Sequence, residues 1–206
     1  MKTLTKSLFT TAAAAIILGS ATMASFAAVP DRPLVKESTS AVTFNKIIVS
    51  GNVKVVLVQK SKEAISVGER FDPARTSIKR KGYNLLIHSS EIEPVTVTVA
   101  VKDLQRIDVS GISSVVTKGD FKLDYLQLFI SYSASADINA KTGSLYTVIS
   151  DAAELKLSGS ADEHTFIAGL HTKANMDNFV CKGTERLTAE SIAAISMNRA
   201  IIGKSR

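Results

Sequence analysis

The sequence predicts an all-β solenoid, in which short strands wind into stacked turns of about 20 residues. Three observations predict it. A small-residue corner recurs from Leu104 onward, β-branched residues dominate between the corners, and no stretch beyond the N-terminus carries a helical apolar period. The clearest corner is Val109-Ser110-Gly111-Ile112-Ser113. It returns as Ser131-Tyr132-Ser133-Ala134-Ser135-Ala136 and as Ser150-Asp151-Ala152-Ala153-Glu154. Looser echoes are Thr172-Lys173-Ala174-Asn175-Met176 and Ser191-Ile192-Ala193-Ala194-Ile195. One copy cannot bury its apolar residues alone, whereas stacked copies share an interior and pair their backbones. Corners want small residues because space is tight where the chain bends, and Gly111 can take a backbone conformation closed to other residues. Turns lie about 4.8 Å apart, so five span roughly 24 Å.

The N-terminus reads as a secretory signal over residues 1–27. Lys2 and Lys6 make a positive start, Leu8 to Leu18 an apolar stretch, and Ser25-Phe26-Ala27 a small-residue cleavage site after Ala27. The apolar run is too short and too rich in Ala and Thr to span a bilayer comfortably. No cysteine follows the cleavage site to carry a lipid, and no later segment reads as transmembrane. The expected location is periplasmic or extracellular.

Residues 28–41 are polar, hold Pro30 and Pro33, and read as a flexible lead-in. Residues 42–103 read as an N-terminal β cap. Phe44 to Val58 gives two strands broken at Gly51-Asn52, and Ala64 to Val67 a third. Thr76 to Arg80 and Tyr83 to His88 flank Lys81-Gly82 as a hairpin. Val95 to Val101 alternates valine with small or polar residues, as a half-buried strand does. Residues 104–206 hold the repeats, and the tail Ile195 to Ile202 reads as the C-terminal cap.

Composition narrows the function. The formal charge of +6 is mild, and its basic residues are scattered apart from Lys79-Arg80-Lys81. No aromatic ladder accompanies them, which argues against nucleic acid. Cys181, the sole cysteine, excludes an internal disulfide and reads as a small buried hydrophobe. Asp137 and Glu154 occupy nearly equivalent repeat positions and could stack on one face, as paired carboxylates for acid–base work would. Asp151, Asp162 and Glu163 are further repeat acids, and all five read as solvent-facing turn acids. Asp162-Glu163-His164 with His171 matches no metal-ligand spacing. No phosphate loop, nucleophile elbow or paired-cysteine motif occurs. The sequence therefore names no catalytic, cofactor-binding or metal-binding residue.

Phe44-Asn45-Lys46-Ile47-Ile48-Val49-Ser50-Gly51-Asn52-Val53-Lys54-Val55 resembles the opening of the putative auto-transporter adhesin, head GIN domain family. Gly82 to Ile87 resembles its next element, and Val97 to Ser113 its central strand and Ser-Gly-x-Ser corner. The resemblance covers about residues 42–200. It implies a right-handed, parallel β-helix-like solenoid, and the family name suggests adhesion. Tyr132 and Asp151 stand where the pattern has glycine.

The expected function is an exported, non-enzymatic binding or adhesion module. It would present a flat Ser/Thr/Lys-rich face to a glycan, an envelope component or a protein. Two alternatives are a carbohydrate-active enzyme using Asp137 and Glu154, and a periplasmic assembly protein that pairs through its open ends. The oligomeric state is left open.

Overall fold

The computed structural model describes residues 34–36 and 43–188. Thirteen strands and no helix occur among them: β1 (Leu34–Lys36), β2 (Lys46–Gly51), β3 (Val53–Gln59), β4 (Ala64–Val67), β5 (Thr76–Lys81), β6 (Asn84–Ser89), β7 (Val95–Val101), β8 (Arg106–Val109), β9 (Ser114–Lys118), β10 (Phe121–Ile130), β11 (Ser135–Ile149), β12 (Glu154–Ala168) and β13 (Lys173–Thr188). The all-β class is as expected. The signal segment, the fifth corner at Ser191 and the C-terminal tail lie outside the described residues. β1 falls inside the stretch expected as a flexible lead-in and pairs antiparallel with β4.

All the strands join one sheet that curls on itself. One arm holds β5, β6, β2, β8, β10 and the second halves of β11, β12 and β13. The other holds β4, β7, β3, β9 and the first halves of β11, β12 and β13. We name them the β2 arm and the β3 arm. Pairing is parallel except at β1, β4 and β5. The registers confirm the period: Arg106 pairs with Gln127, Ser135 with Glu154, and Glu154 with Lys173.

The block expected as a cap contributes two of the stacked layers, and they stack out of chain order. β2 and β3 lie between β6/β7 on one side and β8/β9 on the other. Antiparallel strands close that end, β4 and then β1 on one arm and β5 on the other.

Alternation drives the burial. Leu85, Ile47, Ile107, Leu128, Thr147 and Phe166 form an in-register column inside the β2 arm, all buried. Val97, Val55, Val115, Ala136 and Leu155 do the same in the β3 arm. Apart from the buried hydroxyl residue Thr147, both columns belong to one hydrophobic core. Each full-sized apolar side chain buried there contributes roughly 1.5–3 kcal/mol.

The corners work as the small-residue pattern implies. Ser113, Ala134 and Ala153 sit at equivalent inner positions and are buried to 1% exposure or less. The backbone N–H groups of Ser110, Ser131, Ser150 and Gly169 each bond a carbonyl of the preceding layer at 2.9–3.0 Å. Gly111 has φ +79°, and Tyr132 and Asp151 keep the same left-handed conformation at φ +61° and +59°. The fourth corner is Gly169-Leu170-His171-Thr172, not the expected Thr172 to Met176, which falls mostly in β13. Neither serine nor alanine marks it, and Leu170 projects into solvent. On the opposite side the chain bends inside continuous strands. There Gly159 holds φ +100°, and a Cβ on it would lie 2.1 Å from the Ala140 carbonyl oxygen. No other residue fits that approach.

Candidate functional site

The β3 arm carries the polar surface that the sequence anticipates. Its inward positions are apolar, so its outward positions are free to be charged or hydroxylic. Thr96, Lys54, Ser114, Ser135, Glu154 and Lys173 stand in one in-register outward column. Thr98, Val56, Val116, Asp137, Lys156 and Asn175 stand in the next.

A shallow depression of about 350 Å³ opens over these columns. Val116, Ser135, Asp137, Glu154, Lys156 and Lys173 contribute to its lining. Asp137 and Glu154 therefore share one surface feature. Each carboxylate is bonded to its own lysine one layer on. Lys156 Nζ donates to Asp137 Oδ2 at 3.1 Å, and Lys173 Nζ donates to Glu154 Oε1 at 2.7 Å. The Glu154 hydrogen bond and charge raise the Lys173 ammonium pKa above its ordinary value. A third pair, Lys182 with Asp162 at 2.6 Å, repeats the rule at the bend of β12 and β13, and Asp162 raises Lys182 likewise. In all three an acid on one layer faces a lysine on the next, because strands stacked in register place equivalent positions side by side. The depression offers alternating donors and acceptors beside the outward apolar side chain of Val116.

The other sequence candidates disperse. Asp162 and Glu163 face solvent, whereas His164 points into the core at 2% exposure. His164 Nε2 lies 3.1 Å from Thr147 Oγ1, and its ring packs against Phe166 and Phe179. Burial, then the nearby Arg186 charge, lowers its pKa to about 4. No cluster able to hold a metal ion occurs among the described residues. Cys181 packs half-buried against the core, its thiol 3.0 Å from the Gly183 carbonyl oxygen. Asp151 Oδ2 accepts hydrogen bonds from Tyr132 N and Ser150 Oγ, both at 3.0 Å. Of the basic triplet, Lys79 and Lys81 face solvent. Arg80 turns inward, 3.3 Å from Glu63 and over the Phe44 ring. Burial raises the Glu63 pKa despite Arg80 and the Phe44 N–H.

Sequence reasoning missed a second surface. The outward column of the β2 arm is apolar and half-buried: Leu86, Ile48, Phe129, Val148, Ile167 and Leu187 stand in register, broken only by Asp108, and Ile167 is buried at 6% exposure. Tyr146 lies 5.9 Å from Phe129 between ring centres, and Arg106 covers Phe129 at 4.0 Å while bonding Asp108. The signal was present in the sequence as unbroken apolar runs, among them Leu128-Phe129-Ile130 and Leu85-Leu86-Ile87. Such runs mark strands with apolar side chains on both faces.

No helix among the described residues is long and apolar enough to cross a membrane. No curated protein matches the chain. Its fold is similar to a crystal structure of a "putative adhesin" from Bacteroides fragilis, with TM-score 0.62, 16% identity, and 71% of this chain and 72% of that chain covered. A "putative adhesin" from Parabacteroides distasonis is similar at TM-score 0.55 and 16% identity, covering 72% and 75%. A "putative lipid binding protein" from the same species is similar at TM-score 0.55 and 13% identity, covering 76% and 78%. The model of the family described as "putative auto-transporter adhesin, head GIN domain" matches residues 43–198, and this chain belongs to that family.

Proposed function

We propose that the chain is an exported binding module of adhesion type. In this reading it is built as a right-handed parallel β-solenoid and holds a glycan-class ligand on its β3 arm. The observation that carries the reading is the acid–lysine ladder, Asp137–Lys156 beside Glu154–Lys173, over a shallow depression. Sugar hydroxyls both donate and accept, and such a ladder supplies fixed partners of each kind. Its period of about 4.8 Å along the stack is comparable to the length of one sugar residue in a chain. The repeat extends the surface in one direction, as solenoid binding faces do. Family membership and the adhesin descriptions of similar folds support binding over catalysis. The N-terminal signal pattern supports export to the periplasm or beyond.

Glycan-array binding tests this with the parent protein and an Asp137→Ala/Lys156→Ala variant. The parent binds a subset of glycans, and the variant, still folded by circular dichroism, loses at least about tenfold in affinity. Absence of binding by folded parent protein across glycan and envelope-polysaccharide panels contradicts the reading. The presence of Asp137 and Glu154 in one depression favours a second reading, carbohydrate cleavage at the same place. Release of new reducing ends from a bound polysaccharide would favour it.

A further inference from the structure

We propose that the β4–β5 end of the stack is a binding site for a small amphiphile, a largely apolar molecule that carries one anionic group. The site lies at the opposite end of the stack from the acid–lysine ladder and stands or falls separately from it.

Three observations carry it. First, the core opens into a cavity at this end. β5 ends one arm, and β4, edged by the short β1, ends the other. Ile65 and Val67 pair with the inward Val99 and Val97, and Ile78 pairs with the inward Ile87, so all three face the interior. A cavity of about 750 Å³ lies among them, with Leu85 beneath and Phe71, Pro73 and Ala74 of the β4–β5 loop completing its apolar wall. Small-molecule sites measure roughly 300–1,000 Å³ and are mostly apolar, with a few placed polar groups.

Second, the wall is built before any ligand arrives. The Asp72 carbonyl accepts the N–H groups of Arg75 and Thr76 at 3.1 and 2.7 Å, and Asp72 Oδ1 accepts that of Ala74 at 2.8 Å. Gly68 N–H donates to the Thr96 carbonyl at 2.9 Å and ties the start of the loop to β7. A pre-formed site costs less to occupy than one the ligand must order.

Third, the charge at the cavity is of one sign. Arg80 pairs with Leu85, so it extends the inward column of Leu85, Ile47, Ile107 and Leu128 with a cation. A charge at such a position needs a partner. Glu63 lies 3.3 Å from the guanidinium, which also covers the Phe44 ring, and that pair is neutral as a whole. Lys79 lines the cavity too, is exposed, and forms no ion pair among the described residues. The hydroxyl residues Thr76 and Ser77 complete the polar lining, which holds no carboxylate among the described residues. The excess charge is therefore positive and sits at the rim. An anionic group meets Lys79 there, and the apolar body enters between Ile65, Val67 and Ile78.

Calorimetric titration with decanoate and with decanol, each kept below its solubility or micelle limit, tests the proposal. The parent protein binds both, decanoate about fivefold more tightly, as one rim ion pair allows. Val67→Trp, whose ring fills the cavity, abolishes binding of both while circular dichroism shows a folded protein. Lys79→Glu keeps decanol binding and removes the preference for decanoate. Asp137→Ala/Lys156→Ala binds both as the parent does, which separates this site from the ladder. A parent protein that binds neither compound, or binds the two equally, overturns the proposal. So does binding that folded Val67→Trp leaves intact, a preference that Lys79→Glu leaves unchanged, or binding that the ladder variant loses.

Discussion

The Asp151 carboxylate accepts the Tyr132 backbone N–H at 3.0 Å, and both residues hold a positive φ at equivalent corners of neighbouring layers. The bond explains how the chain dispenses with glycine at two corners in succession. A non-glycine residue in this conformation costs roughly 1 kcal/mol. Asp tolerates it better than most residues, and here its side chain also fixes the corner before it. Tyr132→Gly is therefore expected to stabilise by about 1 kcal/mol, read as a higher denaturant midpoint. An unchanged or lower midpoint would mean that the tyrosine ring contributes more than its backbone costs.

Asp151→Ala removes the cap and keeps the unfavourable φ, whereas Asp151→Gly removes the cap and relieves it. The alanine variant should have the lower thermal midpoint. The Tyr132 N–H, then the Ser150 hydroxyl, hold the Asp151 carboxyl below its usual range. Its stabilisation is thus complete above the ordinary carboxylate pKa and is lost as pH falls through the depressed one. Equal midpoints for the two variants would contradict this account of the corner.

His164 makes the core acid-sensitive. Its pKa falls from 6.5 to about 4 because burial disfavours the imidazolium and Arg186 repels it. The unfolded chain therefore takes up a proton first. Stability should decline as pH falls from about 6.5 to about 4 and then level off, by at most about 3 kcal/mol. Chemical denaturation at stepped pH checks this, with His164→Phe expected to flatten that part of the profile. A parent profile already flat between those pH values would contradict it.

Gly159→Ala tests the bend on the opposite side of the layers. Its Cβ would lie 2.1 Å from the Ala140 carbonyl oxygen, at φ +100°. A loss on the order of 3 kcal/mol is expected in the unfolding free energy. A loss under about 1 kcal/mol would show that the two strands can part there without consequence.

The ion-pair ladder is expected to serve binding more than folding. Both members of the Asp137–Lys156 pair are well exposed, and exposed pairs contribute about 0–1 kcal/mol. Asp137→Asn should keep the denaturation midpoint within that range while weakening ligand binding. A large stability loss would make the ladder structural.

Much of the fold is written locally. The hairpin of β5 and β6 is legible because Lys81-Gly82 supplies the turn, with Gly82 at φ +58°. Three corners are legible because Ser113, Ala134 and Ala153 must be small to fit inside. The fourth is not, because Leu170 and His171 project outward and no steric limit selects their size. β13 also slips by one residue between Asn175 and Asn178 opposite Lys156 and Ser158, which blurs the period. The stacking of β6 and β7 outside β2 and β3 is a long-range choice that no local pattern records. The ladder acids were visible as repeat positions, but their lysine partners lie 19 residues away, at no spacing that marks a local motif. Parallel stacking alone brings them together.

Backbone amide chemical-shift mapping during titration with a polysaccharide that the protein binds tests the central claim most directly. The account predicts shifts concentrated at Ser135, Asp137, Glu154, Lys156, Lys173 and Asn175. Shifts confined to the β2 arm, or scattered over the molecule with these six unmoved, would contradict it.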